Sequence, residues 1–259
     1  MTGGLPPAPR WAWIVMALGV VSIVVLTYLT LNRPPPPRFP GPSSAGAAET
    51  TPTAPSASPA SGEGATPEPL RFLVVADGFT TADAAAGGPS WPELVRADMD
   101  AAGRPVELTV AAAERAGYAE PDSGGATFPQ LVQGAGSGFD AVVFFGSRHD
   151  IAAGPDVRAA AERAFSLART ASPDAGLLVI GPAWADTGLP GYIVTNRDAL
   201  AAAVVPFGAV FVDPLAEGWF AGPAAAFIAP DGVHVTAEGH RYLADLIRPV
   251  IEDALPPAG

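Results

Sequence analysis

The sequence has no cysteine, no lysine and only three histidines among its 259 residues. Without cysteine there is no disulfide scaffold and no thiolate-held zinc or iron–sulfur site. Three histidines are too few for a histidine-rich metal centre, so neither a metal nor a cofactor is expected. All 14 basic residues are arginine, and against 26 acidic residues they leave a net charge of −12. The charges balance at three of each sign over residues 1–70, whereas residues 71–259 carry 11 basic and 23 acidic side chains. An acidic folded region repels a phosphate backbone, which argues against nucleic acid as a partner. What the chain has in quantity is 29 Gly and 30 Pro, and their distribution separates an anchor, a tether and one domain.

After a ten-residue N-terminal segment, residues 11–31 contain no charged side chain and are dominated by Ile, Val, Leu, Ala and aromatics. A helix of that length reaches about 30 Å, the thickness of a bilayer core. One transmembrane helix is expected here, with Trp11, Trp13 and Tyr28 toward its two ends, where amphipathic rings favour the membrane interface. A cleaved signal peptide would need a shorter apolar run followed closely by a small-residue cleavage site, whereas Asn32, Arg33 and four prolines follow. Charge leaves the orientation open, because Arg10 and the α-amino group on one side are matched by Arg33 and Arg38 on the other. The next region, 32–69, has 11 prolines in its last 36 positions, mixed with Ser, Thr, Ala and Gly. It lacks the apolar residues that offset the entropy of ordering a backbone, and reads as a disordered spacer.

From residue 70 onward, short apolar runs alternate with longer amphipathic stretches. The runs are Phe72–Ala76, Val106–Val110, Ala141–Phe145, Leu177–Ile180 and Ala209–Val212. Helices are predicted to begin near Ser90, Val157 and Asn196, and a last one after Thr236. In that last helix Tyr242, Leu243, Leu246, Ile247, Val250 and Ile251 make one apolar stripe, and Pro249 should kink it or mark its last turn. Strands that alternate with helices pair in parallel, because each connection must cross back over the sheet. The expected fold is a three-layer α/β sandwich with about five parallel strands.

Ligands of such a sheet sit at the carboxyl ends of the strands. After the first run comes Ala76-Asp77-Gly78-Phe79-Thr80-Thr81, after the third Gly146-Ser147-Arg148-His149-Asp150, and before the last helix Pro230-Asp231-Gly232-Val233-His234-Val235-Thr236. Asp231 and His234 form a D-x-x-H pair in which the carboxylate can hold one imidazole nitrogen while the other faces a cleft, the arrangement of an oriented general base. Taken alone, the spacing also suits an inert Asp-Gly turn before a Thr helix cap.

Together the three segments resemble the SGNH hydrolases, also called GDSL esterases. There a G-D-S block follows the first strand, a G-x-N-D block follows the third, and D-x-x-H precedes the last helix. The stretch from Pro105 to Val110 and on through Ala116-Gly117-Tyr118 is similar to the family's second block. Asp213-Pro214-Leu215 and Gly239-His240-Arg241-Tyr242-Leu243-Ala244 also look like members of it. The resemblance spans Arg71 to Ile251 and implies a flavodoxin-like three-layer fold and ester hydrolysis. It also implies an exported domain, which would leave residues 1–10 cytoplasmic. Carried over by position, His234 is the base, Asp231 its orienting acid and Gly117 an oxyanion-hole donor.

Two positions depart from the family pattern. The serine nucleophile is replaced by Gly78, and the oxyanion asparagine by His149, whose imidazole N–H differs from an amide in geometry and ionisation. Thr80 and Thr81 lie two and three residues past the nucleophile position and suit turn bonding or helix capping better than attack. Ser90 is expected to cap a helix, Ser147 to close a strand-end turn, and Arg148 to lie exposed at the cleft rim. His240 is expected on the surface of the last helix or behind the site, and Tyr118 either lines the cleft or packs. Two functions remain open. One is hydrolysis of an ester or acetyl ester of an envelope glycan or lipid by an unrecognised nucleophile. The other is non-catalytic binding of an envelope glycan, lipid or protein partner, with Gly78, Gly117 and His149 holding a carboxylate, an acetyl group or a sugar.

Overall fold

The structure, a computed structural model, describes residues 68–80, 87–152, 154–185 and 188–255. The expected transmembrane helix at 11–31, the tether up to residue 67 and Thr81 lie outside them. Among the described residues no helix is long and apolar enough to cross a membrane. Five strands form the sheet: β1 (Leu70–Ala76), β2 (Val106–Ala112), β3 (Ala141–Phe145), β4 (Gly176–Ile180) and β5 (Val210–Val212). All pair in parallel in the order β2-β1-β3-β4-β5. The helices between and after them are α1 (Trp91–Ala101), α2 (Phe128–Ala135), α3 (Gly154–Ala171), α4 (Gly191–Ala203) and α5 (Ala237–Ala254).

The pleat explains the layers. Phe72 and Val74 of β1 and Val143 and Phe145 of β3 point to the side covered by α1 and α5, where they meet Trp91, Met99, Leu243 and Ile247. Leu73 and Val75 of β1 and Val142 and Phe144 of β3 point to the other side, against Phe128, Phe165 and Leu200 of α2, α3 and α4. With both faces covered, each central strand reads as an unbroken apolar run. Full burial of a large apolar side chain contributes roughly 1.5–3 kcal/mol, so the two clusters fix the sheet on which the loops stand.

The predicted strands all appear, and the helices depart from expectation at their ends. Helix α1 starts where Ser90 was expected to cap it, with the Ser90 N–H donating to the Glu93 carboxylate at 2.7 Å. Helix α2 was not anticipated. Helix α4 begins at Gly191, ahead of Asn196, because Pro190 supplies an extended N-cap. Helix α5 continues past Pro249 to Ala254, so that proline does not mark its last turn.

Candidate active site

The carboxyl ends of β1 and β3 meet the loop before α5 at one end of the sheet. Strand β1 runs into a turn in which the Thr80 N–H reaches the Asp77 carbonyl at 3.2 Å. The Asp77 carboxylate accepts from the Phe79 N–H at 3.0 Å and from the Ser147 hydroxyl at 2.9 Å. Ser147 Oγ in turn accepts from the His149 N–H at 3.0 Å, so one short chain of hydrogen bonds joins the two strand ends. Asp77 is 1 % exposed. Burial raises its carboxyl to a pKa of about 6, against the opposing pull of those two hydrogen bonds and of the Arg148 charge.

The loop before α5 is closed like a hairpin. Ile228 and Val235 form an antiparallel bridge, and the Ala229 N–H donates to the His234 carbonyl at 2.8 Å. The reversal requires a left-handed residue, supplied by Gly232 at φ 69°. Inside it, Asp231 Oδ1 accepts from the Val233 and His234 N–H groups at 2.8 and 3.0 Å, and Oδ2 lies 2.6 Å from His234 Nδ1. These bonds, the imidazole's first, hold the Asp231 carboxyl well below the usual range. A carboxylate partner places the proton on Nδ1 and leaves Nε2 as the acceptor, the tautomer a general base needs. Thr236 then caps α5, accepting from the Gly239 N–H at 3.1 Å.

Arg148 ties these pieces together. Its Nη1 donates to the Gly232 carbonyl at 2.9 Å, its Nη2 donates to the Val233 carbonyl, and its guanidinium lies 5.4 Å from the Phe79 ring centroid. The Tyr192 hydroxyl holds the Arg148 carbonyl at 3.0 Å. The side chain expected exposed at the rim is thus half-buried and bonded to the histidine loop.

Between these segments lies a cleft of about 60 Å³ lined by Asp77, Gly78, Phe79, Glu114, Arg115, Arg148, His149, Val233 and His234. Gly78, His149 and His234 therefore share one space. None of the lining residues carries a hydroxyl or a thiol. Burial, and then the charges of Arg115 and Arg148, lower the His149 pKa below its ordinary value, which keeps the ring neutral at neutral pH. The Gly78 backbone is outside the left-handed region, and an added Cβ would meet Glu114 Cγ at 3.3 Å. A serine there needs only a small shift of an exposed glutamate.

Gly117 does not line the cleft, contrary to its expected role. Its N–H donates to the Glu120 carbonyl at 2.8 Å, which turns the donor into its own loop. A Cβ on Gly117 would fall 2.3 Å from Asp150 Oδ1, so glycine is required by close approach. The Asp150 carboxylate gathers the Tyr118, Ala119 and Glu120 N–H groups at 2.8–2.9 Å, and Gly117 makes room for it.

Over 185 residues the chain is 42 % identical to a GDSL lipase of Mycobacterium tuberculosis, covering 69 % of this chain and 80 % of that protein. The chain belongs to the GDSL/SGNH hydrolase family. No family model matches it. The fold is shared with TesA, at a TM-score of 0.57 and 20 % identity over 72 % of this chain and 100 % of that one. It is shared also with inhibitor-bound M. smegmatis aryl esterase, at a TM-score of 0.53 and 15 % identity over 72 % and 100 %.

Set against the family's blocks, the remaining candidates fall behind the cleft or in the core. Thr80 is fully buried and lines no part of it. Tyr118 packs edge-on to Phe128 with ring centroids 4.7 Å apart. His240 is not on the helix surface; it is buried, and its Nδ1 accepts from the Trp91 N–H at the start of α1 at 3.3 Å. Sequence reasoning missed the bracing by Arg148, and the one available signal was an arginine inside the third block where a small residue would suffice.

Proposed function

We propose that this chain is a membrane-anchored, extracytoplasmic GDSL/SGNH-family protein whose cleft binds an acyl or acetyl ester group, or the envelope glycan bearing one, without serine-based hydrolysis. The observation that carries this reading is Gly78 at the nucleophile position, in a cleft whose described lining offers no hydroxyl or thiol. Loss of the nucleophile in a comparable triad costs about six orders of magnitude in turnover. Binding survives that loss, because His149 and the guanidinium groups of Arg115 and Arg148 remain as donors around the same space. The uncharged run at 11–31 and the Pro-rich tether after it support anchoring, with the domain held off the membrane.

A second reading, hydrolysis through Thr81 or a water molecule, is favoured by the 2.6 Å contact between His234 and Asp231, which leaves a base ready for a nucleophile. The two readings part in one assay: turnover of a short-chain chromogenic ester by the full chain, by Gly78→Ser and by His234→Ala. The binding reading expects no turnover from the unaltered chain and His234-dependent turnover from Gly78→Ser. Turnover by the unaltered chain that His234→Ala abolishes would replace it with the hydrolytic one. For the anchor, the full chain should resist alkaline extraction from membranes and be digested by protease added outside the cell. Release of the chain into the alkaline supernatant would refute it.

A further inference from the structure

The space at His234 is small and its neighbour is not. At about 60 Å³ it is less than a fifth the size of either pocket beside it, room for a two-carbon acyl group rather than an alkyl chain. Beside it lies a second cavity of about 350 Å³, walled by Trp184, Ala185, Ala225 and Ile228. A third of about 450 Å³ shares Trp184, Ala185 and Ala225 with it and is the more apolar of the two. Both are of the size that holds an ordinary small ligand.

Arg148 lines the cleft and the second cavity alike. Gly232 faces the cavity and Val233 faces the cleft, and the Arg148 guanidinium donates to the carbonyls of both while lying over Phe79. The clamp therefore follows the boundary between the two spaces. Three attachments fix a side chain that otherwise has about 2 kcal/mol of rotamer entropy to lose. An alkyl chain crossing this boundary would have to displace them and bury a guanidinium without partners, which is costly.

We propose that Arg148 is the specificity-determining partition of the cleft, confining it to acetyl-sized groups and separating it from the larger open pockets beside it. This rests on the binding reading above and narrows its ligand class from acyl groups in general to the two-carbon group of an acetyl ester.

The chain's three histidines supply the readout. The full chain, made without a histidine tag and labelled with ¹³C at the imidazole Cε1, is titrated separately with acetate and with octanoate below its micellar range. His149 and His234 line the cleft, whereas His240 is buried against Trp91 and serves as the internal reference. Acetate should move the His149 and His234 signals at least ~10-fold more tightly than octanoate, a difference of about 1.4 kcal/mol. Arg148→Ala should cancel or invert that preference, and Ala225→Trp added to it should restore the preference by filling the cavity. Octanoate moving both signals of the unaltered chain as tightly as acetate would overturn the partition while leaving the binding reading in place. Acetate preference persisting in a folded Arg148→Ala chain would overturn the role of Arg148. If neither carboxylate moves either signal, the binding reading falls and the partition with it.

Discussion

Asp150 and Asp231 each gather backbone N–H groups from a tight turn, the first beneath the sheet's end and the second at the cleft's rim. Asp150 is 1 % exposed and takes three N–H groups, and burial raises its carboxyl above the usual range. The Asp231 side chain is 47 % exposed and takes two N–H groups and an imidazole, and its carboxyl is held low. A carboxylate that gathers N–H groups is thus a scaffold where water is excluded and a partner for an imidazole where water has access. What separates them is surroundings and reach, since Asp150 bonds a loop 30–32 residues away in the chain and Asp231 its own turn.

The largest test of that contrast is Asp150→Ala, which orphans three N–H groups, one buried and two part-buried. Urea unfolding should show a loss of about 4 kcal/mol, and a loss below ~1 kcal/mol would mean water replaces the carboxylate. Asp231→Ala should lower the urea midpoint far less than Asp150→Ala while shifting the His234 imidazole signals; an equal loss would make Asp231 a scaffold as well.

Asp77 sharpens the comparison through pH. Its folded pKa of about 6 exceeds its ordinary 3.8, so the native state binds the proton more tightly. Stability from this group is therefore greatest below pH ~4 and falls by about 3 kcal/mol as pH rises to 6. Asp77→Asn should flatten that slope in urea titrations from pH 4 to 6. Asp231 is depressed and has the opposite sign, its contribution being lost as pH falls through the acid range. A wild-type curve that rises between pH 4 and 6 and is unchanged by Asp77→Asn would contradict the assignment.

Smaller effects distinguish the two glycines. Gly117→Ala drives a Cβ into the Asp150 carboxylate at 2.3 Å and should cost about 2 kcal/mol by overpacking. Gly78→Ser meets only Glu114 Cγ at 3.3 Å and should cost less than ~0.5 kcal/mol. Equal costs would mean that the two sites are equally crowded.

The fold was legible because every central strand is buried on both faces, which writes it into the chain as an apolar run. The eight-residue α2 was not, since Phe128-Pro129 at its start and glycines at its end look like loop. Within the site, Asp231 and His234 were legible because their geometry is local, closed by a three-residue spacing. Arg148 and Gly117 were not. The bond of Arg148 to Gly232 spans 84 residues, and the clash that requires Gly117 involves a carboxylate in another loop. Which of the two positions expected for His240 holds was not legible for the same reason, as its partner Trp91 is 149 residues away.

The reading proposed for the site is that His234 and Asp231 stand paired in a cleft whose described lining offers no side-chain nucleophile. It is tested most directly by exposing the full chain to a reactive alkyl phosphonate ester and locating any adduct by mass spectrometry, beside Gly78→Ser and Gly78→Ser with His234→Ala. The account predicts no adduct on the unaltered chain and one at position 78 in Gly78→Ser that His234→Ala abolishes. A His234-dependent adduct on the unaltered chain, at Thr81 or elsewhere, would contradict it.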